Sequence, residues 1–319
     1  MASNSIPEVS VILPVFNAER FVEKAVQSVL DQTFVNFELI IVDDASTDAS
    51  YTICEKMAKL DSRIILIRNT YNLGMMLNWN KALTFVRGQY WAKLDADDWW
   101  EKEFLQDCYQ IISTDTSVGM VCGRYANVDE EDNMISKTEY VLPPEWRNTK
   151  TDFIWRVKSG PYKMFVPPLA QQGNGLIRTE IVRKHGNYLL IQPADTEFYF
   201  RIGAHYSIYF IDKLYHYHRV WFGSDTNSTI KNNRGKFEKN IYDVRRAIFD
   251  YYYECGLIDH KMYRTFSRQN RYEFNKSFFS IYIEAGYMLK ALGCLLNNVM
   301  FSPTKTLKFY FQRLLNRFK

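Results

Sequence analysis

Along the first hundred residues the apolar positions switch between unbroken runs and helical spacing. Val9–Phe16 (VSVILPVF) is a continuous apolar run and predicts a buried strand, closed by Pro14 and a polar turn. Phe21, Val22, Ala25, Val26, Val29 and Leu30 then recur on one side of a 3.6-residue period, the stripe of an amphipathic helix. Phe37–Val42 (FELIIV) is a second β-rich run, stopping at Asp43-Asp44, and a helical stretch to Leu60 follows. Arg63–Ile67 predicts a third strand, Met76–Val86 a helix, and Tyr90–Leu94 a fourth strand. Short continuous apolar strands alternating with helices predict an α/β fold, a mostly parallel sheet with helices on both faces.

Open parallel sheets take ligands beyond the carboxyl ends of their strands. Here those ends carry Pro14–Asn17, Asp43-Asp44, Asn69 with Asn72, and Asp95, all polar and all expected on one edge. From about 113 to 229 short strands mix with long loops. From about Asn232 the chain becomes helical and rich in Tyr, Phe, Lys and Arg. A boundary near 228–235 is therefore expected between a first domain, 1–230, and a helical C-terminal extension, 231–319.

Composition narrows the picture only a little. A hydrophobic share of 47% with 24% charged residues fits a folded chain rather than a disordered one. The 16% of aromatic residues suits a core, but also sugar faces and membrane interfaces. A net charge of +4 does not mark a nucleic-acid binder, and no nucleic-acid partner is expected. Cys54, Cys108, Cys122, Cys255 and Cys294 are scattered without a C-x-x-C pair, which suggests a reducing compartment. The opening MASNSIPEVSVILP has no basic region before a long apolar run, so no signal peptide is expected there, and no apolar run reaches 18 residues. The stretch Ser280–Met300 holds Glu284, Lys290, Asn297 and Asn298 and predicts a packed or interfacial helix. Between Phe301 and Lys319 lie Lys305, Lys308, Arg313, Arg317 and Lys319 with no acid, around an apolar stripe of Leu307, Tyr310, Phe311, Leu314, Leu315 and Phe318. That pattern predicts a basic amphipathic helix, either on an anionic lipid surface or packed on the body or a second subunit. A cytoplasmic protein is expected, peripheral on the inner face of the plasma membrane if that helix binds lipid.

The chemistry concentrates at Leu94–Trp100, LDADDWW, where Asp95, Asp97 and Asp98 crowd together. Like charges this close cost free energy unless something positive sits among them. Neither G-x-G-x-x-G after the first strand nor G-x-x-x-x-G-K-[ST] is present, so no glycine nest is available to cradle phosphates. Mg²⁺ or Mn²⁺, held by one or two carboxylates together with a ligand's phosphates, supplies the missing charge. In an extended Asp95-Ala96-Asp97 both carboxylates project to one side. The alternative is that Asp97 and Asp98 cap a helix starting near Trp99. For Asp43-Asp44 the choices are capping, with Ser46 the better cap, or hydrogen bonding to a base or ribose. Trp99 and Trp100 suit either a sugar face or the core.

VSVILPVFNAERFVEKAVQSVLDQTFVNFELIIVDDASTD, NLGMMLNWNKAL, GQYWAKLDADD and QPADTEFYFRIG, in that order over residues 8–225, resemble the family 2 glycosyltransferases of the GT-A fold. The resemblance implies a Rossmann-like sheet and the inverting transfer of a sugar from a nucleotide-diphosphate donor, UDP-linked by family habit, to an acceptor hydroxyl. It places Pro14, Val15, Phe16 and Glu19 at the nucleoside pocket and Asp44 on the base. Asn72 and Asn80 shape the pocket, Asp95 and Ala96 meet the ribose or metal, Asp97 with Asp95 holds Mn²⁺ or Mg²⁺, and Asp195 is the catalytic base. The implied acceptor is a saccharide or lipid-linked saccharide, in cell-surface polysaccharide or glycolipid synthesis. Two departures stand out: Trp79 where many members carry arginine, and Trp221 where many carry a metal-binding histidine. His216 and His218 lie nearby as candidate replacements. A nucleotidyl- or phospho-transferring enzyme and a nucleotide-sugar-binding protein without turnover are the alternatives.

Overall fold

The computed structural model describes residues 6–136, 147–151, 174–221, 233–284 and 287–299. The strand-helix alternation builds β1 (Val9–Val15), α1 (Val22–Leu30), β2 (Phe37–Asp43), α2 (Ser50–Leu60), β3 (Ile64–Arg68), α3 (Met75–Leu83) and β4 (Tyr90–Lys93). β5 (Trp99–Trp100), α4 (Phe104–Ile112), β6 (Val118–Val128), β7 (Met134–Ser136), β8 (Thr149–Thr151) and β9 (Gly175–Arg178) follow. Then come α5 (Thr179–His185), α6 (Ala194–Gly203) and β10 (Ser207–Arg219). The sheet runs in the order β3-β2-β1-β4-β9-β6-β10-β5, with β7 on β6 and β8 on β10. Its first four strands are parallel. β9 runs against both β4 and β6, and β10 runs parallel to β6. β6 and β10 therefore point the same way as β4, and their carboxyl ends open on the same edge.

Burial explains the unbroken apolar runs. Every residue of β1 and β2 is buried because helices cover both faces. Val22, Ala25, Val26 and Val29 of α1 join Val9, Val11, Leu13 and Val15 in one cluster with Phe104, Leu105 and Cys108 of α4. α3 packs on β1 and β2 and buries Trp79, Ala82 and Leu83. Pro14 does not close its strand: β1 continues to Val15, paired with Asp43. Pairing with β4 ends at Ile12–Lys93, so the missing Pro14 N–H falls on the side that β4 has already left. All five cysteines are free.

The chain divides into two compact units, residues 1–190 with 194–221, and residues 191–193 with 222–319. In the second, α7 (Arg234–Glu254), α8 (His260–Glu284) and α9 (Met288–Val299) pack in sequence order, α7 on α8 and α8 on α9. Val244, Ile248, Phe249 and Tyr252 of α7 and Phe266, Phe279 and Ile283 of α8 are buried. Asn298 donates to the Tyr272 carbonyl (2.9 Å) and accepts from Asn275 (3.0 Å), satisfying three buried polar groups at once. Among the described residues no helix is long and apolar enough to cross a membrane. The basic stretch 301–319 lies outside the described residues.

Candidate active site

β4 delivers its chain to the open edge of the sheet, where the last rung joins Leu94 N to the Ile12 carbonyl at 3.0 Å. The acids that follow are not extended. Asp98 N donates back to the Asp95 carbonyl (3.1 Å), folding Asp95–Asp98 into one bend with Ala96 buried inside it. No helix starts at Trp99. Trp99 and Trp100 form β5 against β10, and α4 begins only at Phe104, so the capping alternative for Asp97 and Asp98 fails. Trp100 joins the core, and Trp99 stacks on Tyr217 (ring centroids 4.9 Å) with Lys24 3.2 Å over its face.

Each carboxylate in the bend has its own partner. Asp95 accepts from Lys93 Nζ at 2.6 Å, and that ammonium also lies 3.9 Å over the Trp79 ring. Asp97 accepts from the Trp221 indole N–H at 2.9 Å. Asp98, fully buried, meets His216 Nε2 at 2.8 Å and His218 Nδ1 at 3.3 Å, and accepts from Arg219 N at 2.8 Å. The buried Arg219 guanidinium donates to the Asp97 carbonyl (3.0 Å), to the carbonyls of Asp129 and Glu130, and to the Asp132 carboxylate. β10 thus brings His216–Trp221 onto the acid bend because its carboxyl end emerges on the same edge as that of β4. His216 and His218 are engaged by Asp98, not gathered around Asp97.

The charges divide accordingly. Burial, then the charges of Asp98 and Asp95, push Asp97 up to about 7, against the Trp221 hydrogen bond. Burial alone would raise Asp98 too, but His218 and His216 outweigh it and hold that carboxyl well below the usual range. His218 rises to about 9: burial lowers it, and Asp98, followed by Asp97 and Asp95, more than compensates. Asp98 is therefore neutralised inside the protein, whereas Asp97 stays an oxygen donor whose ionised form its neighbours make costly. A hard oxygen donor under like-charge stress is what a divalent cation relieves, so Asp97 fits one, with Asp95 in the same bend as a second oxygen donor that Lys93 already holds. Among the described residues no three His, Cys, Asp or Glu side chains are grouped to hold an ion.

The expected nucleoside residues lie along the same edge in two laced loops. Pro14 and Val15 are buried in β1, and Phe16 is 49% exposed just beyond them. Asn17 N donates to Ser46 Oγ (3.1 Å), Thr47 N to Asn17 Oδ1 (2.9 Å), and Ala49 N to the Glu19 carboxylate (2.8 Å). Ser46 thus ties the two loops together and does not cap α2, whose first turn is met by Asp48 through Ser50 N (3.0 Å). Asp44, buried at the end of β2, accepts from Asn69 Nδ2 (2.7 Å), Leu73 N (2.8 Å) and Gly74 N (2.9 Å). Asn72 Oδ1 also accepts from Gly74 N (2.9 Å), where a φ of +85° demands glycine. Asn80 lies on α3 and acts through the backbone. Its amide clasps the Tyr188 backbone, donating to the carbonyl (2.8 Å) and accepting from the N–H (3.0 Å).

Asp195 opens α6 and is buried. Phe198, one turn on, packs on Tyr188 (4.6 Å) and on Trp91 of β4 (5.9 Å), which sets α6 beside the strand that delivers the acid bend. Arg201 fixes the helix from its other end through the buried Glu197 (2.9 Å) and the carbonyls of Gly186 (2.8 Å) and Asn187 (2.7 Å). Burial and then nearby charge raise the phenols of Tyr188 and Tyr199 well above their usual range, and for both the charges include Asp195 and Asp95. The two acids therefore bear on the same pair of rings. Sequence reading missed Lys93, Asp98 and Arg219 as organisers of the site. Only Asp98 carried a local signal, its place in the acid run.

Residues 10–186 match the family described as Glycosyl transferase family 2. Glycosyltransferase GlyA of Streptococcus pneumoniae is 33% identical over 127 residues, 40% of this chain and 18% of that protein. The UDP-Glc:alpha-D-GlcNAc-diphosphoundecaprenol beta-1,3-glucosyltransferase WfaP of Escherichia coli is 35% identical over 137 residues, 43% of this chain and 52% of that protein. The matched stretch spans less than half the length of the first curated relatives. The crystal structure of S. aureus TarS 1-349 in complex with UDP-GlcNAc superposes with a TM-score of 0.64 at 17% identity, over 95% of this chain and 83% of that one. That likeness shows the GT-A-type fold. With more than half its length matched in the family's order, the chain belongs to glycosyl transferase family 2.

Proposed function

We propose that the chain is an inverting glycosyltransferase that moves a hexose from a nucleotide-diphosphate donor to an acceptor hydroxyl. The observation that carries this reading is the acid bend at the end of β4, with Asp195 on the helix whose Phe198 packs against Trp91 of that same strand. Breaking the bond from an anomeric carbon to a diphosphate leaves charge on the departing phosphate, and the attacking hydroxyl must lose a proton. Asp195, on the α6 side, takes that proton; a positioned base contributes about 10²–10⁴-fold. Asp95 and Asp97 would hold Mn²⁺ or Mg²⁺, which when bound supplies Lewis-acid stabilisation of the leaving diphosphate. Lys93 fixes the Asp95 carboxylate, and Trp221 fixes that of Asp97. A single base opposite the leaving group gives one displacement, hence inversion. Phe16, Asp44 and the laced loops would take the nucleoside, with UDP the first donor to try.

We further propose a lipid-linked saccharide acceptor, polysaccharide or glycolipid synthesis, and work at an anionic membrane surface. Leu289, Leu292 and Leu296 are exposed along one side of α9, and the sequence that follows is basic, which supports that setting. Asp195→Asn tests the chemistry. Transfer from the accepted UDP-sugar should fall by about 10²–10⁴-fold while donor affinity survives. Transfer at the wild-type rate would remove Asp195 from the mechanism.

A further inference from the structure

Tyr188 combines three features that do not usually occur together. Its ring is locked: Trp79 lies edge-on at 5.3 Å, Trp91 at 6.2 Å and Phe198 at 4.6 Å. Its backbone is clasped on both polar atoms by the Asn80 amide. Yet its hydroxyl, on a residue only 3% exposed, has no hydrogen-bond partner among the described residues. A buried O–H without a partner costs free energy, and a phenylalanine here would keep the packing without that cost. The hydroxyl therefore contributes nothing to the fold that the ring does not.

Its location shows what would satisfy it. On one side, Trp79 leads through the Lys93 ammonium (3.9 Å over the ring) to Asp95 (2.6 Å), the diphosphate end of the site. On the other, Phe198 belongs to the helix that Asp195 opens. In a single displacement the acceptor hydroxyl attacks opposite the leaving diphosphate, so the transferred sugar ring must lie between the metal-binding acids and the base. Tyr188 touches both chains of contacts, Trp79 on the way to Asp95 and Phe198 on the helix that carries Asp195. Burial and the charges of Asp195 and Asp95 keep its phenol protonated, so it can both donate to and accept from a sugar hydroxyl.

We propose that the Tyr188 hydroxyl hydrogen-bonds a hydroxyl of the transferred sugar and thereby contributes to the choice of donor. The proposal rests on the glycosyltransferase reading above and deepens it. Its test compares wild type with Tyr188→Phe by calorimetric titration, with Mn²⁺ present, of UDP-glucose, UDP-N-acetylglucosamine and GDP-mannose. Each is measured against its free nucleoside diphosphate. Wild type should bind one nucleotide-sugar more tightly than the matching diphosphate. Tyr188→Phe should lose about tenfold of affinity for that nucleotide-sugar, keep its affinity for the diphosphate, and melt no lower than wild type. Unchanged nucleotide-sugar affinity in the variant overturns the proposal and leaves the enzyme reading standing. Parallel loss of both ligands, or a lowered melting temperature, assigns Tyr188 a structural role and also overturns it. If wild type binds none of these compounds, the enzyme reading falls and the proposal falls with it.

Discussion

Asp98 shows how one side chain can matter more to a site than its place in a motif suggests. It makes no link to Asp97's indole partner, yet it holds the two histidines and the Arg219 N–H that would otherwise face the acid bend unsatisfied. Asp98→Ala leaves a buried histidine and a charged one without their counter-ion. It should cost about 3–5 kcal/mol in urea unfolding, the usual penalty for breaking a buried pair from one side. Asp98→Asn, still able to accept from Arg219, should cost less. A loss below about 1 kcal/mol for the alanine variant would mean that solvent, not Asp98, satisfies the histidines. The acid run was legible in the sequence because acids crowded at a strand end are costly. Which acid the fold neutralises and which it leaves under charge stress was not, because the partners that decide it lie about 120 residues away, on β10 and just past it.

At the level of elements, strands and helices up to β4 were readable to within a residue or two, since burial on both faces leaves runs with few polar interruptions; the exception is α3, which stops at Leu83 and not Val86. Two local expectations failed where tertiary pairing overrode pattern. Trp99–Trp100 became a strand because β10 offered it a partner, and Pro14 stayed inside β1 because no neighbour needed its N–H. The α5–α6 region carries a pH signature of its own. His185, at the end of α5, stacks on His205 at 4.1 Å. Burial first, then the positive charges of His205, Lys184 and Arg201, hold its imidazole down to about 4 against an ordinary 6.5. The unfolded chain therefore takes up this proton before the folded one does. The contribution of His185 is complete above pH 6.5 and is lost as pH falls from 6.5 towards about 4. Over that window the melting temperature of wild type should drop more steeply than that of His185→Gln. Equal slopes would show that the stacked pair is neutral to folding.

Among the described residues of the molecule, the acid bend and the laced loops lie on one unit and an exposed apolar stripe on the other. Leu289 is 87% exposed, and Leu292 and Leu296 follow it at helical spacing. If that stripe enters a lipid surface, the chain should sediment with vesicles containing phosphatidylglycerol and not with phosphatidylcholine alone. Replacing the three leucines by glutamine should reduce binding by about tenfold or more. Equal binding to both vesicle types would exclude an anionic surface as the partner. The character of the second unit was legible as helix; its exposed stripe was not, because periodicity alone cannot tell a covered face from an open one. Arg219, finally, nails three distant stretches to one point: the acid bend, the turn at Asp129–Asp132, and its own strand end. Anyone grafting this acid bend onto another scaffold would have to move all three together, since a transplant of the short acidic loop alone would arrive without the peg that sets its shape.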